Sequence, residues 1–466
     1  MMTHIRRLRP LSGVLLVTLL GGCATFSKDG GFDSVAQVAQ ARLGKEVKLL
    51  RSSADAIALD AKIKSLLAAP LTADSTVQIA LLNNRGLQAG YAELGIAEAD
   101  LVQAGRLQNP GFDFSRVTQG AETMIERTFT MSVLNLIMLP HISRLEQQRF
   151  ETVKLQVADQ VLHLAAETRK AYFEAVAAQQ GVVYAQQVTA AAEAGATLAS
   201  RMARVGNWSK LDQSREQVFY AEAAAELTHA ETESVMAREK LARLMGLWGA
   251  DAQFQLPQQL PDLPAAPLEM SDAEAFALTQ RLDIQAQRLQ TTNLAASLGL
   301  TRTTRFLNVL DLGYIRNSGS GQPRATGYEL SLEIPIFDWG GARVAKAEAI
   351  YMQSVNQLAE TAVNARSEVR ERYLGYRSAY DLARHYRDNI VPLRKQIAEE
   401  NLLRYNGMLL SVFELLADAR EQVTSVNGYI NALRDYWVAE TDLAAALGGN
   451  LPTPASLPAN ANHQGN

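Results

Sequence analysis

The segment YELSLEIPIFDWGGARVAKA, Tyr328 to Ala347, changes from a strand pattern to a helix pattern within 20 residues. Its first half alternates strictly. One face carries Tyr328, Leu330, Leu332, Ile334 and Ile336, and the opposite face carries Glu329, Ser331 and Glu333. Such alternation predicts a β-strand with one apolar and one polar side. We expect Pro335 to end the strand ladder and Gly340-Gly341 to turn the chain sharply into a helix that begins near Ala342.

The same alternation occurs in three other segments of a sequence that otherwise reads as helical. Together the predicted strands span about 111–117, 127–136, 308–316 and 328–337. No soluble core is visible for their apolar faces. We therefore predict that lipid covers the apolar side and that a water-filled lumen lies on the other side, lined by Glu329, Ser331 and Glu333. The polar connections VTQGAETMIER and IRNSGSGQPRATG are expected to be long extracellular loops.

The chain contains two copies of one unit. ETRKAY at Glu167–Tyr172 returns about 201 positions later as EVRERY, and Val205-Gly206 returns at the same offset as Asn406-Gly407. We predict a first repeat over 76–248 and a second over 273–449, each with a helical hairpin whose tip lies near 206 or 407. A proline-rich linker, 249–272, joins them, and 450–466 has the composition of a disordered tail. The duplicated Glu-Arg-Tyr motif is expected to pack helices together instead of forming a charged site.

Four strands cannot close a barrel, and an open sheet edge is not tolerated in hydrocarbon. Two chains would give eight strands, a size that side chains usually fill, whereas three would give twelve strands and an open lumen. The predicted fold is therefore mainly α, with a transmembrane β-barrel portion that is built by a homotrimer in outer-membrane lipid.

The N-terminus predicts export and lipidation. A basic start with Arg6, Arg7 and Arg9 precedes the short apolar run LSGVLLVTLL, which is typical of a signal peptide over residues 1–22. LGGC ends at Cys23, the single cysteine, which we predict to be the lipidation site. Residues 23–75 would then form a lipid-anchored linker. Because Ala24 follows the cysteine, the pattern is typical of sorting to the outer membrane.

Composition and motifs argue against several other functions. A net charge of −4, a pI of about 6.0 and the absence of a basic run speak against a nucleic-acid partner. The 6 histidines are scattered and show no metal-ligand spacing. Neither a Walker sequence nor GxSxG occurs. The sequence thus predicts no enzyme activity, no cofactor and no metal site.

With the internal repeat and LGGC, two further motifs resemble the outer-membrane factor family, the TolC-like exit ducts of efflux pumps and type I secretion systems. They are PIFDWGGAR at Pro335–Arg343 and RYNGMLLSVFELLADAR at Arg404–Arg420. The resemblance implies a trimeric twelve-stranded barrel that continues into a long periplasmic α-helical barrel. It also implies an inner-membrane transporter and a periplasmic adaptor as partners, with hairpin tips at Gly206 and Gly407 as the adaptor contacts.

Members of this family often close the periplasmic end with acidic residues just past the helix turns. The candidates at those positions are Glu414, Asp418 and, in the first repeat, Asp212. The sequence departs from the family at two points. Ala417 stands where the family has an aspartate, and LIMLPHISR at the first strand-to-helix switch lacks glycines.

The predicted function is that of a passive outer-membrane exit duct of a tripartite efflux pump. The alternatives are the outer-membrane component of a type I secretion system and a structural or adhesive lipoprotein. The substrate stays open among drugs, metal ions and peptides, although the second tip resembles variants from heavy-metal efflux loci.

Overall fold

The structure is a computed structural model that describes residues 25–270, 272–449 and 451. The predicted signal peptide, Cys23 and residues 452–466 of the predicted tail lie outside the described residues.

Helices make up most of the described chain. In chain order the helices are α1 Phe32–Leu43, α2 Ser53–Leu67, α3 Ala73–Asn83, α4 Arg85–Ala104, α5 Val133–Arg204, α6 Lys210–Met245, α7 Ala273–Gln280, α8 Leu282–Thr304, α9 Gly341–His385, α10 Val391–Asn406 and α11 Val412–Ala446. The strands are β1 Gly111–Gln119, β2 Glu122–Ser132, β3 Leu310–Gly319 and β4 Gln322–Leu332. The order α4-β1-β2-α5-α6 recurs as α8-β3-β4-α9-α10-α11, so the two halves carry the same sequence of elements.

The chain forms two compact units, and each draws on both halves. The first contains the sheet, in the segments Gly90–Val157 and Leu282–Ala362 together with residues 25–35. The second contains Ala36–Ala89, Ala158–Arg281 and residues 363–451. Each predicted repeat therefore contributes segments to both units.

The strands form one antiparallel sheet in the order β1-β2-β3-β4. Pairing of β2 with β3, for example Phe129 opposite Tyr314, joins the two halves. The prediction of long loops between β1 and β2 and between β3 and β4 is wrong. Strand pairing continues to Gln119 opposite Glu122 and to Gly319 opposite Gln322, which leaves two-residue turns. Gly120 and Gly321 take the positive φ values, 61° and 79°, that such tight turns require.

The strands also end earlier than predicted at the helix side. β2 stops at Ser132 and α5 begins at once at Val133, so the expected strand residues up to 136 are helical and Pro140 lies inside α5. β4 stops at Leu332 rather than 337, which places Glu333 one residue past the strand. Beyond β4 the chain follows an irregular path to α9, since Pro335 has no N–H to donate to a ladder.

Gly340 ends that irregular path. Its φ is +73°, and a Cβ there would lie 2.6 Å from the carbonyl oxygen of Arg305. The N–H of Gly340 donates to Asp338 Oδ1 at 2.8 Å, while its carbonyl accepts from Val344 N–H at 3.1 Å and so starts α9. The first switch has no such turn and therefore needs no glycine.

The long helical runs of the two halves differ. α5 continues through 72 residues to the first tip. The corresponding run of the second half is interrupted by a π-helical turn, Tyr386–Ile390, directly before Pro392 near the start of α10. Proline removes one i→i−4 hydrogen bond and crowds the preceding turn, which accounts for the irregularity at this position.

The core of the second unit is built around aromatic side chains. Tyr376, Tyr380 and Tyr436 are almost fully buried, and Tyr436 contacts both other rings at 5.6 and 5.8 Å between centroids. Leucines and alanines of α3, α5 and α6 complete this core.

The proline-rich linker is part of this core rather than a free spacer. In its first half, Arg238 donates to the carbonyl of Phe254, and Leu260 N–H donates to Gln180 Oε1 at 3.1 Å. In its second half, Leu268 N–H donates to Tyr376 and Met270 N–H to Tyr373, at 2.8 and 3.3 Å. Further donors to this half are Trp437 to Pro261, Arg387 to Leu263, and Tyr380 to Pro264 and Ala265.

The duplicated Glu-Arg-Tyr motif makes equivalent contacts in both halves. Each tyrosine bonds to the backbone before a short helix, although the direction differs: Tyr172 Oη donates to the carbonyl of Leu71 before α3 at 3.1 Å, whereas Tyr373 Oη accepts from Met270 N–H before α7 at 3.3 Å. Arg169 pairs with Asp74 in the first turn of α3, and Arg370 pairs with Glu274 in the first turn of α7. These are packing contacts, in agreement with the structural interpretation of the motif.

Candidate functional site: the two-faced sheet and the helix turns

Both faces of the sheet are largely exposed within the chain. On one face Phe112, Phe129 and Tyr328 expose 55%, 52% and 83% of their surface, although large apolar side chains are usually covered. Leu312, Leu330 and Leu332 continue this apolar face towards the helices. No described segment of the first unit covers it, so the face is available to an external apolar phase.

The opposite face is acidic. Glu329 lies opposite Gly313 and Ser331 opposite Asp311, so both predicted lumen residues in β4 share a face with a further acid. A Cβ at Gly313 would lie 3.2 Å from Glu329 Cβ, which shows how closely the glutamate side chain approaches the β3 backbone. Glu333 lies past the strand end and is exposed.

The two helix turns are equivalent, but at an offset of 202 rather than 201. At the first turn Gly206 has φ +78° and Asn207 N–H donates to Met202 O at 3.0 Å. At the second turn Met408 has φ +61° and Leu409 N–H donates to Arg404 O at 2.8 Å. The structural counterpart of Gly206 is therefore Met408, which directly follows Gly407, whose φ is −80°.

Two candidate gate residues, Asp212 and Glu414, lie in the first turn of the helices that follow these turns and bond to the N-cap residues Ser209 and Ser411. Ser209 accepts from Asp212 N–H at 3.1 Å and donates to Asp212 Oδ2 at 2.6 Å. Ser411 and Glu414 form a reciprocal capping box, in which Glu414 Oε2 accepts from Ser411 N–H at 3.1 Å. Acids at this position satisfy free N–H groups and complement the helix dipole.

The third candidate, Asp418, lies one turn further on and accepts a hydrogen bond from Asn401 on α10. Its counterpart at the 202 offset is Glu216, which the sequence analysis did not select. Glu216 is buried, with 3% of its surface exposed, and accepts from Arg420 Nη2 at 2.9 Å. The Arg420 guanidinium also stacks on Phe219 at 4.2 Å, so the pair joins α6 of the first half to α11 of the second.

Across residues 25–270, 272–449 and 451, no group of three or more His, Cys, Asp and Glu side chains is arranged to hold a metal ion. Within the same ranges, no helix has the length and apolarity of a membrane span.

Comparison with known proteins gives curated relatives by sequence and solved structures of similar fold. No protein-family model matches the chain. The cobalt-zinc-cadmium resistance protein CzcC of Cupriavidus metallidurans is 27% identical over 288 residues, which are 58% of this chain and 64% of CzcC. Protein CyaE of Bordetella pertussis is 35% identical over 192 residues, 37% of this chain and 38% of CyaE. The chain thus spans less than two thirds of the length of either curated relative.

Solved structures match over far more of the chain. The CmeC outer membrane channel of Campylobacter jejuni covers 81% of this chain and 85% of its own, with a TM-score of 0.68 and 19% identity. The chain has the outer-membrane factor fold. The MtrE outer membrane channel of Neisseria gonorrhoeae matches with a TM-score of 0.66 and 19% identity over 80% of this chain and 88% of its own. VceC of Vibrio cholerae, an outer membrane protein, matches with a TM-score of 0.66 and 17% identity over 84% of this chain and 97% of its own.

These matches confirm the resemblance that was expected from the sequence. CmeC and MtrE are outer membrane channels, and VceC is an outer membrane protein.

Proposed function

We propose that this chain is the outer-membrane exit duct of a tripartite efflux assembly and conducts its cargo passively. The observation that carries the proposal is the two-faced sheet, which exposes an apolar side and an acidic side on a chain with the fold of outer-membrane channels. Lipid would cover the apolar side and water would fill the space on the acidic side. The helices would then lie in the periplasm.

Closure of the sheet requires further copies of the chain. β1 and β4 each pair along one edge within the described chain, so two edges stay open. Such edges are not stable in hydrocarbon, and three chains would close a barrel of twelve strands. We therefore propose a homotrimer, in which the helical hairpins of the three chains form the periplasmic barrel.

The acidic face gives the proposed lumen its selectivity. Glu329, Ser331 and Asp311 share that face, and Glu333 follows β4. A field of one sign favours passage of cations without tight binding. Glu329→Gln is expected to lower the permeability for cations relative to anions, whereas Glu400→Gln, an exposed site on α10, should leave the ratio unchanged.

The helix turns are the proposed contact with a periplasmic adaptor that links the duct to an inner-membrane transporter. Val205 and Leu211 at the first turn expose 69% and 61% of their surface, and Met408 and Leu409 at the second expose 94% and 81%. Exposed apolar pairs at both tips are typical of a surface that a partner protein covers. Gly206 and Gly407 lie within these tips.

The residues just past the turns are the proposed gate. Asp212 and Glu414 bond to the N-cap serines of α6 and α11, whereas Asp418 and the Glu216–Arg420 pair tie neighbouring helices together. We expect these ties to hold the hairpins in a narrow arrangement. Asp418→Ala and Arg420→Ala should therefore raise the mean single-channel conductance relative to Glu400→Gln.

The proposed anchor is a lipid on Cys23. Four residues later, Ser27 donates from its N–H and its hydroxyl to Glu98 Oε1, at 2.6 and 2.5 Å. Glu98 lies on α4 in the unit that contains the sheet. These two hydrogen bonds support an anchor close to the unit that contains the sheet. Cys23→Ser should abolish incorporation of labelled palmitate.

Divalent transition-metal ions are the proposed cargo. CzcC, the relative with the longer aligned segment, is named for cobalt, zinc and cadmium resistance, and the proposed lumen is acidic. A strain that lacks the gene should grow poorly on these metal salts and recover with the wild-type chain. Normal metal tolerance together with loss of a secreted polypeptide would favour the type I secretion alternative.

Reconstitution tests the whole proposal. The purified full-length protein should have the mass of three chains in detergent and should form cation-conducting pores in planar bilayers. A single-chain mass without pores, also for Asp418→Ala and Arg420→Ala, would favour the structural or adhesive lipoprotein and refute the duct.

A further inference from the structure

Each strand of the sheet carries one arginine, and strand alternation assigns all four to its apolar face, with Arg324 at the irregularity in the β3–β4 pairing opposite Ser318. They are Arg116 on β1, Arg127 on β2, Arg316 on β3 and Arg324 on β4, named here the arginine belt. By strand alternation Arg116 shares a face with Phe112 and Phe114, and Arg127 shares one with Phe129. The belt lies in the half of the sheet next to the two-residue turns, away from the helices.

The carboxylates of the strands lie on the opposite face. By the same alternation this set comprises Asp113, Glu122, Glu126, Asp311 and Glu329. Among the described residues, none of the four belt guanidiniums is paired with a carboxylate. Arg127 and Arg316 are even direct cross-strand neighbours, an arrangement that destabilises a sheet unless an anion compensates it.

An aromatic row borders the belt on its helix side. Phe112, Phe129, Tyr314 and Tyr328 are consecutive cross-strand partners, with centroids 4.7 Å apart in the first pair and 5.8 Å in the last. Leu312 and Leu330 come next towards the helices. The outward face thus passes from apolar through aromatic to cationic, which is the sequence of layers at a membrane–water interface.

We propose that the arginine belt binds the phosphate groups of lipid headgroups in the membrane leaflet on the turn side of the sheet. The inference rests on the proposed function, in which this face meets lipid. A guanidinium presents paired N–H donors that match a phosphate, and the interface lowers the local dielectric, which strengthens the contact. Arg127 also lies 5.8 Å from the Phe114 ring centroid, so an aromatic neighbour orients its head group.

The test compares the wild-type trimer with a quadruple variant, R116Q/R127Q/R316Q/R324Q, in phosphatidylcholine nanodiscs with and without lipid A. Each arginine near an anionic lipid surface is expected to contribute roughly a fivefold increase in lipid binding. Native mass spectrometry and lipid titration should therefore show that the quadruple variant loses at least about a hundredfold in lipid A affinity. R127Q/R316Q should lose about 25-fold.

A matched control changes charge on the other face of the same strands. Glu126→Gln with Glu329→Gln should leave lipid A binding unchanged if the belt acts through its outward position. Replacement of the four arginines by lysine keeps the charge but removes the paired donors, so its affinity should fall between wild type and the glutamine variant.

Three outcomes would overturn the inference. Lipid A binding by the quadruple variant within twofold of wild type would exclude the belt as the binding surface. Equal stabilisation of the wild type by inorganic phosphate alone would assign the arginines to a soluble anion. Wild-type protein that does not insert into bilayers would refute both the lipid-binding proposal and the proposed function as a duct. Variants of the arginine belt that insert and conduct with unchanged lipid A binding would refute the lipid-binding proposal alone.

Discussion

The backbone N–H of Leu268 donates a 2.8 Å hydrogen bond to the hydroxyl of Tyr376, which is 2% exposed. A side chain of α9 thus accepts a hydrogen bond from the extended linker, as a neighbouring strand would in a β-sheet. Tyr373 and Tyr380, on the same side of α9, bond the linker at neighbouring points. The linker is consequently a structural element of the second unit.

Tyr376→Phe should therefore destabilise the protein without changing its side-chain volume much. The substitution leaves a partly buried N–H without an acceptor, which costs about 1–3 kcal/mol of unfolding free energy. Chemical denaturation in detergent measures the change. Tyr405→Phe, at a 39% exposed site on α10, is the control and should lie within about 0.5 kcal/mol of wild type.

Gly340 and Gly341 provide a matched pair at the joint between β4 and α9. Gly340→Ala should destabilise by about 2–4 kcal/mol, because alanine is strained at positive φ and its Cβ would meet the Arg305 carbonyl. Gly341→Ala meets nothing within 4 Å and should be neutral or stabilising by up to about 1 kcal/mol. Equal thermal unfolding midpoints for the two variants would contradict this account of the joint.

Met408 holds a left-handed conformation that a glycine would adopt more readily. Because its side chain is 94% exposed, Met408→Gly loses little packing and should stabilise the second turn by about 0.5–1 kcal/mol. Gly206→Ala at the equivalent position of the first turn should destabilise by a similar amount or more. Hydrogen exchange of the amides around each turn reports both changes, and faster exchange in Met408→Gly would argue against strain at this residue.

Glu440 predicts a pH dependence of stability. Burial raises the pKa of the Glu440 carboxyl, and the charge of Arg169 and the contact with Tyr436 offset this only in part. Arg42 and Lys45 line the same cavity of about 200 Å³. The folded protein therefore binds the proton more tightly than the unfolded chain. Stability falls as the pH rises from the unfolded value of about 4.3 through the raised folded pKa, and the loss is complete above it.

Glu440→Gln removes this dependence. The variant should be more stable than wild type at neutral pH, and the difference should shrink as the pH falls towards about 4. Urea titrations at several pH values measure it, with the exposed Glu400→Gln as a control. A constant difference across the pH range would show that Glu440 acts through packing instead of its charge.

Local patterns allowed much of the fold to be predicted from the sequence. The period-two alternation from Tyr328 to Leu332 identifies β4 and both of its faces, because successive side chains of a strand point to opposite sides of the sheet. The ends of the strands were harder to predict from the sequence. Pairing at Gln119–Glu122 depends on the partner strand, so polar residues that read as loops continue the ladder.

For the candidate site, too, local features were predicted from the sequence and long-range contacts were not. Acids past the turns were found through their position, but the single-residue difference between Gly206 and Met408 shifted the alignment of the two halves. At the correct offset Glu216 would have matched Asp418. Its partner Arg420 is 204 positions away, and no local pattern in one sequence reports such a contact.

The linker contacts have one further consequence. Residues before Pro261 bond to helices of the first half, through Arg238 and Gln180, and residues from Pro261 onwards bond to helices of the second. A break in the chain at this point would leave each piece with its own share of the connection. We therefore expect a chain cleaved before Pro261 to keep both sets of linker contacts.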